Sequence, residues 1–374
     1  MTTSTLLKNF SFVVAEDVLP VATPTRSTIG TDRMSDLIAR NEKYDSFKRD
    51  IIVAPTAIQL RPEGGFSING EGGFTLEDHA LRQAGQRLGL PFFDGALSGK
   101  DTKAYIERFP QHYGPIWQSL SEGYEATGNG SRQVLARTYG DNAIRAYMSD
   151  RFTAIDNRDM LGILKDYLDS AQDGQYQLVR PWISRDGMTV DVIFPNDGGG
   201  YSFRPNNTNG DDSGYGFGVR IRTGEIGNYS PSVAPLLQRH ACTNSVVSTD
   251  KGITLKQQGN REVKMNLLIS AIGETLQSGV ELVKRLIAAR NVKLPKMASI
   301  ISEMVRKEEW SEEVQLRFSA GTENQDSLWG IVNGLTYAAH ASEIGAEQAT
   351  AMEEFAGALL FNPALLNKYV LVER

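Results

Sequence analysis

Hydrophobic and polar positions alternate most strictly at the start of the stretch Gly214 to Ser245, GYGFGVRIRTGEIGNYSPSVAPLLQRHACTNS. Tyr215, Phe217, Val219 and Ile221 share one face of the strand this predicts; Gly216, Gly218, Arg220 and Arg222 share the other. The first face reads as core. The second has no bulk at its start and two guanidiniums at its end. A flat or polyanionic partner can approach such a surface closely, with arginine gripping phosphates bidentately. The plainer alternative is a half-buried strand with solvated arginines.

Elsewhere the pattern is mixed. Residues 1 to 30 are irregular, with one short strand at Phe10 to Val14, and read as a loose tail or as an arm packing on a neighbouring subunit. Met34 to Ile38 starts a helical pattern, and Asp50 to Leu60 reads as a strand bent at Pro55. Glu63 to Gly73 carries five glycines and reads as a loop. A helix opens at Thr75 with Leu76, Ala80, Ala84 and Leu88 on one face, and Gly89 closes it. Lys103 to Phe109 and Pro115 to Tyr124 are short helices, with Trp117 and Leu120 turned inward. Gln133 to Tyr139 is a strand and Ala143 to Ser149 a second strand or a turn. Asp156 or Asn157 caps a helix over Met160 to Ala171 with Leu161, Leu164 and Leu168 as its apolar stripe. Tyr176 to Ser184 and Met188 to Phe194 are strands joined by a tight turn at Arg185-Asp186-Gly187. Asn196 to Gly214, rich in Asn, Asp and Gly, is a long flexible loop or a hairpin tip, and Gln238 to Ser248 a further strand.

Arg261 to Asn291 is the longest helical pattern, a rod of roughly 45 Å at about 1.5 Å per residue. Ala298 to Val305, Ser327 to Ala341 and Ala346 to Leu360 continue as helices. Strands followed by helices indicate an α+β fold: an antiparallel sheet of three to five strands packed on the long helix, with a helical C-terminal region. The expected divisions are an N-terminal arm with mixed elements over 1–74, an α+β core over 75–308 and the helical region over 309–374.

Composition narrows the class. The 374 residues are 40% hydrophobic and 22% charged, ordinary for a soluble globular protein. The lone cysteine, Cys242, excludes an intramolecular disulfide and fits a reducing cytosol. No apolar run reaches the roughly 18 to 20 residues that span a bilayer, and the N-terminus does not read as a signal peptide. A cytoplasmic location in a bacterial host cell is expected, with no membrane partner.

Reactive chemistry is sparse. His240 and Cys242 share a strand face but lack further metal ligands, so no metal site and no cofactor are expected. The oxygens of Asn206, Asn209, Asp211 and Asp212 do not follow calcium-loop spacing. Gly214, Gly216 and Gly218 do not form a dinucleotide fingerprint, and no strained nucleophile elbow exists. Asp186 and Asp191 read as turn and surface residues, and no enzyme activity is expected.

Charge says more. The net charge is −6, yet Lys251 to Lys307 holds eleven basic residues against four acidic ones, leaving about −13 on the rest. Such segregation is the footprint of phosphate contact, set against an ordinary solvated helix face. Arg132, Arg137, Arg145, Arg151, Arg180 and Arg185 form a second basic set near Tyr147 and Phe152, where bases can stack.

The runs NAIRAYMSDRFTAIDN, GVRIRTGEIGNYSPSVAPLLQRHACTNS, NGLTYAAH and MEEFAGALL together resemble a phage- and plasmid-related family of unknown function, number nine-three-two in the domain-of-unknown-function series. The resemblance covers about Thr75 to Leu360. The family's Asn-Ser-Glu-hydrophobic-Gly run stands here as Thr223, Gly224, Glu225, Ile226 and Gly227, and Ser245 replaces a glycine that follows Cys242, Thr243 and Asn244. The resemblance implies a mobile-element gene product with no settled activity. The order of helix, antiparallel strands and long helix is also similar to single-strand annealing recombination proteins, an analogy of fold alone.

These readings lead to one expectation. A phage-encoded, non-enzymatic protein binds single- or double-stranded DNA as a homo-oligomer, in annealing, recombination or replication. Arg145, Arg151, Arg220, Arg222, Lys251, Lys256, Arg261 and Lys264 would contact phosphates, and Tyr147 or Phe152 would stack. The alternative is a self-assembling phage protein, virion-associated or protein-binding, that ignores nucleic acid.

Overall fold

The computed structural model describes residues 18–20, 34–89, 99–127, 132–140, 142–171, 176–194, 202–205, 215–239, 245–248, 252–294, 296–323, 325–341 and 344–369. Lys251, His240, Cys242 and the expected 196–214 loop apart from residues 202–205, which form a strand, lie outside them, as does the early strand expected at Phe10 to Val14.

The first half contains β1 (Val18–Pro20), α1 (Met34–Asp45), β2 (Lys48–Val53), β3 (Ile58–Leu60), β4 (Phe66–Ile68), β5 (Glu71–Leu76), α2 (Asp78–Leu88), α3 (Gly99–Arg108), α4 (Pro110–Ala126), β6 (Val134–Tyr139) and β7 (Ala143–Ser149). The second half contains α5 (Asn157–Ala171), β8 (Gln177–Ile183), β9 (Gly187–Phe194), β10 (Ser202–Pro205), β11 (Tyr215–Gly224), β12 (Ser232–Arg239), β13 (Ser245–Val247), β14 (Ile253–Thr254) and α6 (Arg261–Ala289). Helices α7 (Met297–Lys307), α8 (Glu312–Gly321), α9 (Leu328–Ala338) and α10 (Ala346–Phe361) complete the chain.

The α+β class is as expected, but the strands form two sheets, not one. Eight strands build the first around β11, with β12 along one edge and β9 and β10 sharing the other. Six build the second in the order β2-β6-β7-β5-β4-β3, antiparallel except where β5 runs parallel to β7. The second sheet draws β4 and most of β5 from residues expected to be a loop, and β5 ends on Thr75 and Leu76, expected to open the helix that instead begins at Asp78. Pro55 divides the expected single strand into β2 and β3, which end on opposite edges. The glycine-rich segment is a hairpin, because Asn69 and Gly70 take the positive φ values, 53° and 82°, that a tight turn between twisted strands requires. Since β2 pairs with β6 and β5 with β7, residues 48–76 belong to the same sheet as residues 134–149. The strand expected over Gln238 to Ser248 is likewise two pieces, the end of β12 and then β13. Helix α8 had no counterpart in the sequence pattern.

The alternation in β11 sorts its side chains as expected on one face. Val219 and Ile221 pack with Val190, Val192 and Phe194 of β9 and with α5 and the first half of α6. Tyr215 and Phe217 join Leu282, Val283 and Leu286 of α6 and the C-terminal helices. The long helix thus lies on this sheet, and Gly279 lets it come close: a Cβ there would stand 2.7 Å from the Phe217 ring. A separate core fills the second sheet, where Trp117 meets Phe66 and Tyr147 edge-on beneath α2 and α4.

Candidate nucleic-acid interface

The other face of β11 is not an open surface. Arg220 is 3% exposed. Its register partner on β9 is Asp191, which accepts two hydrogen bonds of 2.7 Å from Nε and Nη2. Helix α10 adds Glu353, which accepts from the same Nη2. Burial disfavours the charged guanidinium, but the two carboxylates outweigh it and hold its pKa above the ordinary value. Arg222 lies 3.4 Å from Glu354 and over the Tyr229 ring at 3.6 Å. The expected phosphate grip at Arg220 is therefore corrected: acids from β9 and α10 occupy it. Asp191, expected at the surface, is buried for the same reason.

Tyr147 is corrected too. It is fully buried beside Trp117, so no base can stack on it. Arg145 lies 3.7 Å from Asp186 and over the Tyr139 ring.

Five of the expected residues do share a surface. After β7, the chain at Phe152 forms an isolated bridge with Gln258. Thr153 reinforces it: its N–H donates to the Gln257 carbonyl at 2.9 Å and its hydroxyl to the Gly259 carbonyl at 2.6 Å. Asn260 then caps α6 by accepting from the Val263 N–H. This clip sets exposed Arg151 beside the Lys256 to Lys264 segment, where Lys256 and Arg261 are exposed and Lys264 is half-buried. Lys264 Nζ donates to the Lys256 carbonyl, and Arg261 pairs with Asp159 at 2.5 Å. Phe152 is half-buried against Met148 and Ile226 and offers part of its ring. Cations beside one partly open ring can hold phosphates and a base.

A second cluster went unread in the sequence. The β11–β12 turn carries Glu225 into the second sheet, where Arg137 of β6 donates to it at 2.9 Å, to Asp156 at 2.7 Å and to both Asp50 oxygens at 2.7 Å. Lys48 of β2 reaches Asp45, Asp156 and Glu225 at 2.5, 2.8 and 3.2 Å. The Tyr139 hydroxyl and the Asn157 N–H also donate to Glu225. Burial, then the neighbouring Asp156, push Glu225 up to about 7, against the pull of Lys48 and Arg137. Burial acts on Asp156 as well, but there Arg137 and Lys48 outweigh it and hold the carboxyl below its usual value. The signal was present: Arg137 is the one charge in the strand Val-Leu-Ala-Arg-Thr-Tyr, and a charge among apolar strand neighbours implies a buried partner. The cluster ties the two sheets together. Among the described residues, no group of three or more His, Cys, Asp or Glu side chains is placed to hold a metal ion, and no helix is long and apolar enough to cross a membrane.

No protein family, curated protein or solved structure matches this chain.

Proposed function

We propose that the protein binds single-stranded DNA without catalysing a reaction on it, through Arg151, Lys256, Arg261 and Lys264 with Phe152 at their centre. One observation carries this reading: the Phe152–Gln258 bridge brings Arg151 together with the Lys256 to Lys264 segment, about a hundred residues away in the chain. Four cationic contacts are enough for weak, salt-sensitive binding. The role that goes with this reading is recombination or replication of a mobile element.

Fluorescence anisotropy with an oligothymidylate at two salt concentrations tests the reading. The expected slope of log K against log salt is about −3, from four contacts at about 0.7 each. Absence of binding at low salt overturns it. A second reading, self-assembly, is favoured by Phe47 and Ile52, which stand 58% and 53% exposed at the β2 edge of the second sheet. Sizing chromatography with and without DNA separates the two, since self-assembly predicts large species that added DNA leaves unchanged, whereas the DNA-binding reading predicts a shift on adding it.

A further inference from the structure

The turn that follows β11 joins the buried charge cluster to the aromatic ring of the DNA surface. Its first residue is Glu225. The Glu225 carboxyl accepts from the Asn157 N–H at 2.8 Å, Arg137 at 2.9 Å, Lys48 at 3.2 Å and the Tyr139 hydroxyl at 3.3 Å, and Arg137 also donates to the Glu225 carbonyl. The next carbonyl, that of Ile226, lies 2.9 Å from Gln83 and 3.2 Å from His79, both on α2. The Ile226 side chain packs with Met148 and Phe152. Gly227 takes a positive φ of 74°, and a Cβ there would stand 3.5 Å from the Phe152 ring. Three successive residues thus run from a buried acid to that ring.

Acids outnumber bases in this cluster. Among the described residues, Asp45 at the end of α1, Asp50 of β2, Asp156 and Glu225 surround Lys48 and Arg137. Arg145 of β7 and Asp186 of the β8–β9 turn, beside Tyr139, pair with each other and leave the excess unchanged. Glu225 and Asp156 accept from the same Arg137 nitrogen, at 2.9 and 2.7 Å. The Glu225 side chain is 3% exposed, against 17%, 18% and 34% for Asp156, Asp45 and Asp50. Excess charge is most unfavourable where water is most fully excluded, so Glu225 is the acid that takes up a proton. Its upward shift has the same two causes, burial and the neighbouring Asp156.

We propose that Glu225 is a positioning residue for the DNA surface: neutral, it seats the turn against Phe152; ionised, it is repelled by Asp156 and draws Ile226 and Gly227 off the ring. Binding of a single strand is then strongest below neutral pH and weakens above it. This inference rests on the DNA-binding reading, whereas the movement of the turn can be followed without DNA.

Anisotropy with an oligothymidylate and hydrogen exchange of residues 223–230, each on the full chain at about pH 6 and about pH 8, test the proposal. The parent's affinity should fall about fivefold or more between the two. Glu225→Gln, neutral throughout and of the same shape, should keep the parent's acid-side affinity at both. Exchange over 223–230 should match in the two proteins at about pH 6 and run faster in the parent at about pH 8; comparison at one pH cancels the intrinsic rate. Equal exchange at the higher pH would overturn the proposal. So would a Glu225→Gln affinity that falls as the parent's does, the outcome expected if His79 were the titrating group. Absence of binding by both proteins at about pH 6 would overturn the DNA reading itself, and is distinct from failure of the switch, which requires binding there.

Discussion

Replacing Arg220 with methionine removes the cation that lies between Asp191 and Glu353. All three side chains are at most 4% exposed, so water cannot take its place. The change breaks two hydrogen bonds of 2.7 Å to Asp191 and the contact to Glu353, and leaves two buried carboxylates facing each other. Losing one partner of a buried ion pair costs about 3–5 kcal/mol. Total stabilities run about 5–15 kcal/mol, so this is a large share. With urea m-values of about 1–3 kcal/mol/M, the unfolding midpoint should fall by about 1 M or more. Combining Arg220→Met with Asp191→Leu and Glu353→Met should return stability to within about 1 kcal/mol of the parent, because a buried ion triad can often be exchanged for apolar residues of similar volume. Urea melts followed by circular dichroism measure both variants. A loss under about 1 kcal/mol for Arg220→Met would refute the enclosed triad and show the guanidinium to be solvated and open to ligand.

Three other outcomes are expected. Charge reversal of Lys256 and Lys264 to glutamate should flatten the salt slope of oligothymidylate binding by about 1.4, from two contacts at about 0.7 each, with little change in melting temperature. Gly273→Ala, where a Cβ meets nothing within 4 Å, should stabilise the long helix by up to about 1 kcal/mol, whereas Gly279→Ala should destabilise it, since the clash with Phe217 costs about 1–3 kcal/mol against the same gain; denaturant melts of the pair read the difference. Glu225, whose folded pKa of about 7 lies above its usual value of 4.5, contributes stability that is complete below about pH 4.5 and is lost as pH rises toward 7. The parent should therefore lose stability relative to Glu225→Gln between those values and run parallel to it above them, as pH-dependent melts will show.

Period and punctuation carried much of the fold. The step of three or four placed α6, and the alternation in β11 named its buried face correctly down to Tyr215, Phe217, Val219 and Ile221. Local pattern cannot say which distant element lies against a face. Arg220 and Arg222 looked accessible because Glu353 and Glu354 are more than a hundred residues further along, on a helix whose destination periodicity does not encode. Asp191 was within reach of inference, since a carboxylate among Val190, Val192 and Phe194 calls for a cation on the next strand. The second sheet was hidden by its short strands, three of them with three to six residues apiece between turns. The Phe152–Gln258 bridge joins two segments of ordinary polar composition, so the sequence showed the cations on each without showing that they meet.

Ultraviolet cross-linking of an oligothymidylate to the full chain, with the attached peptides mapped by mass spectrometry, tests the central claim most directly. The DNA-binding surface predicts adducts at Phe152 and in the peptide from Lys256 to Lys264, with Tyr147 and the Arg220 strand unmodified. Adducts confined to other surfaces, or none at low salt, would contradict it.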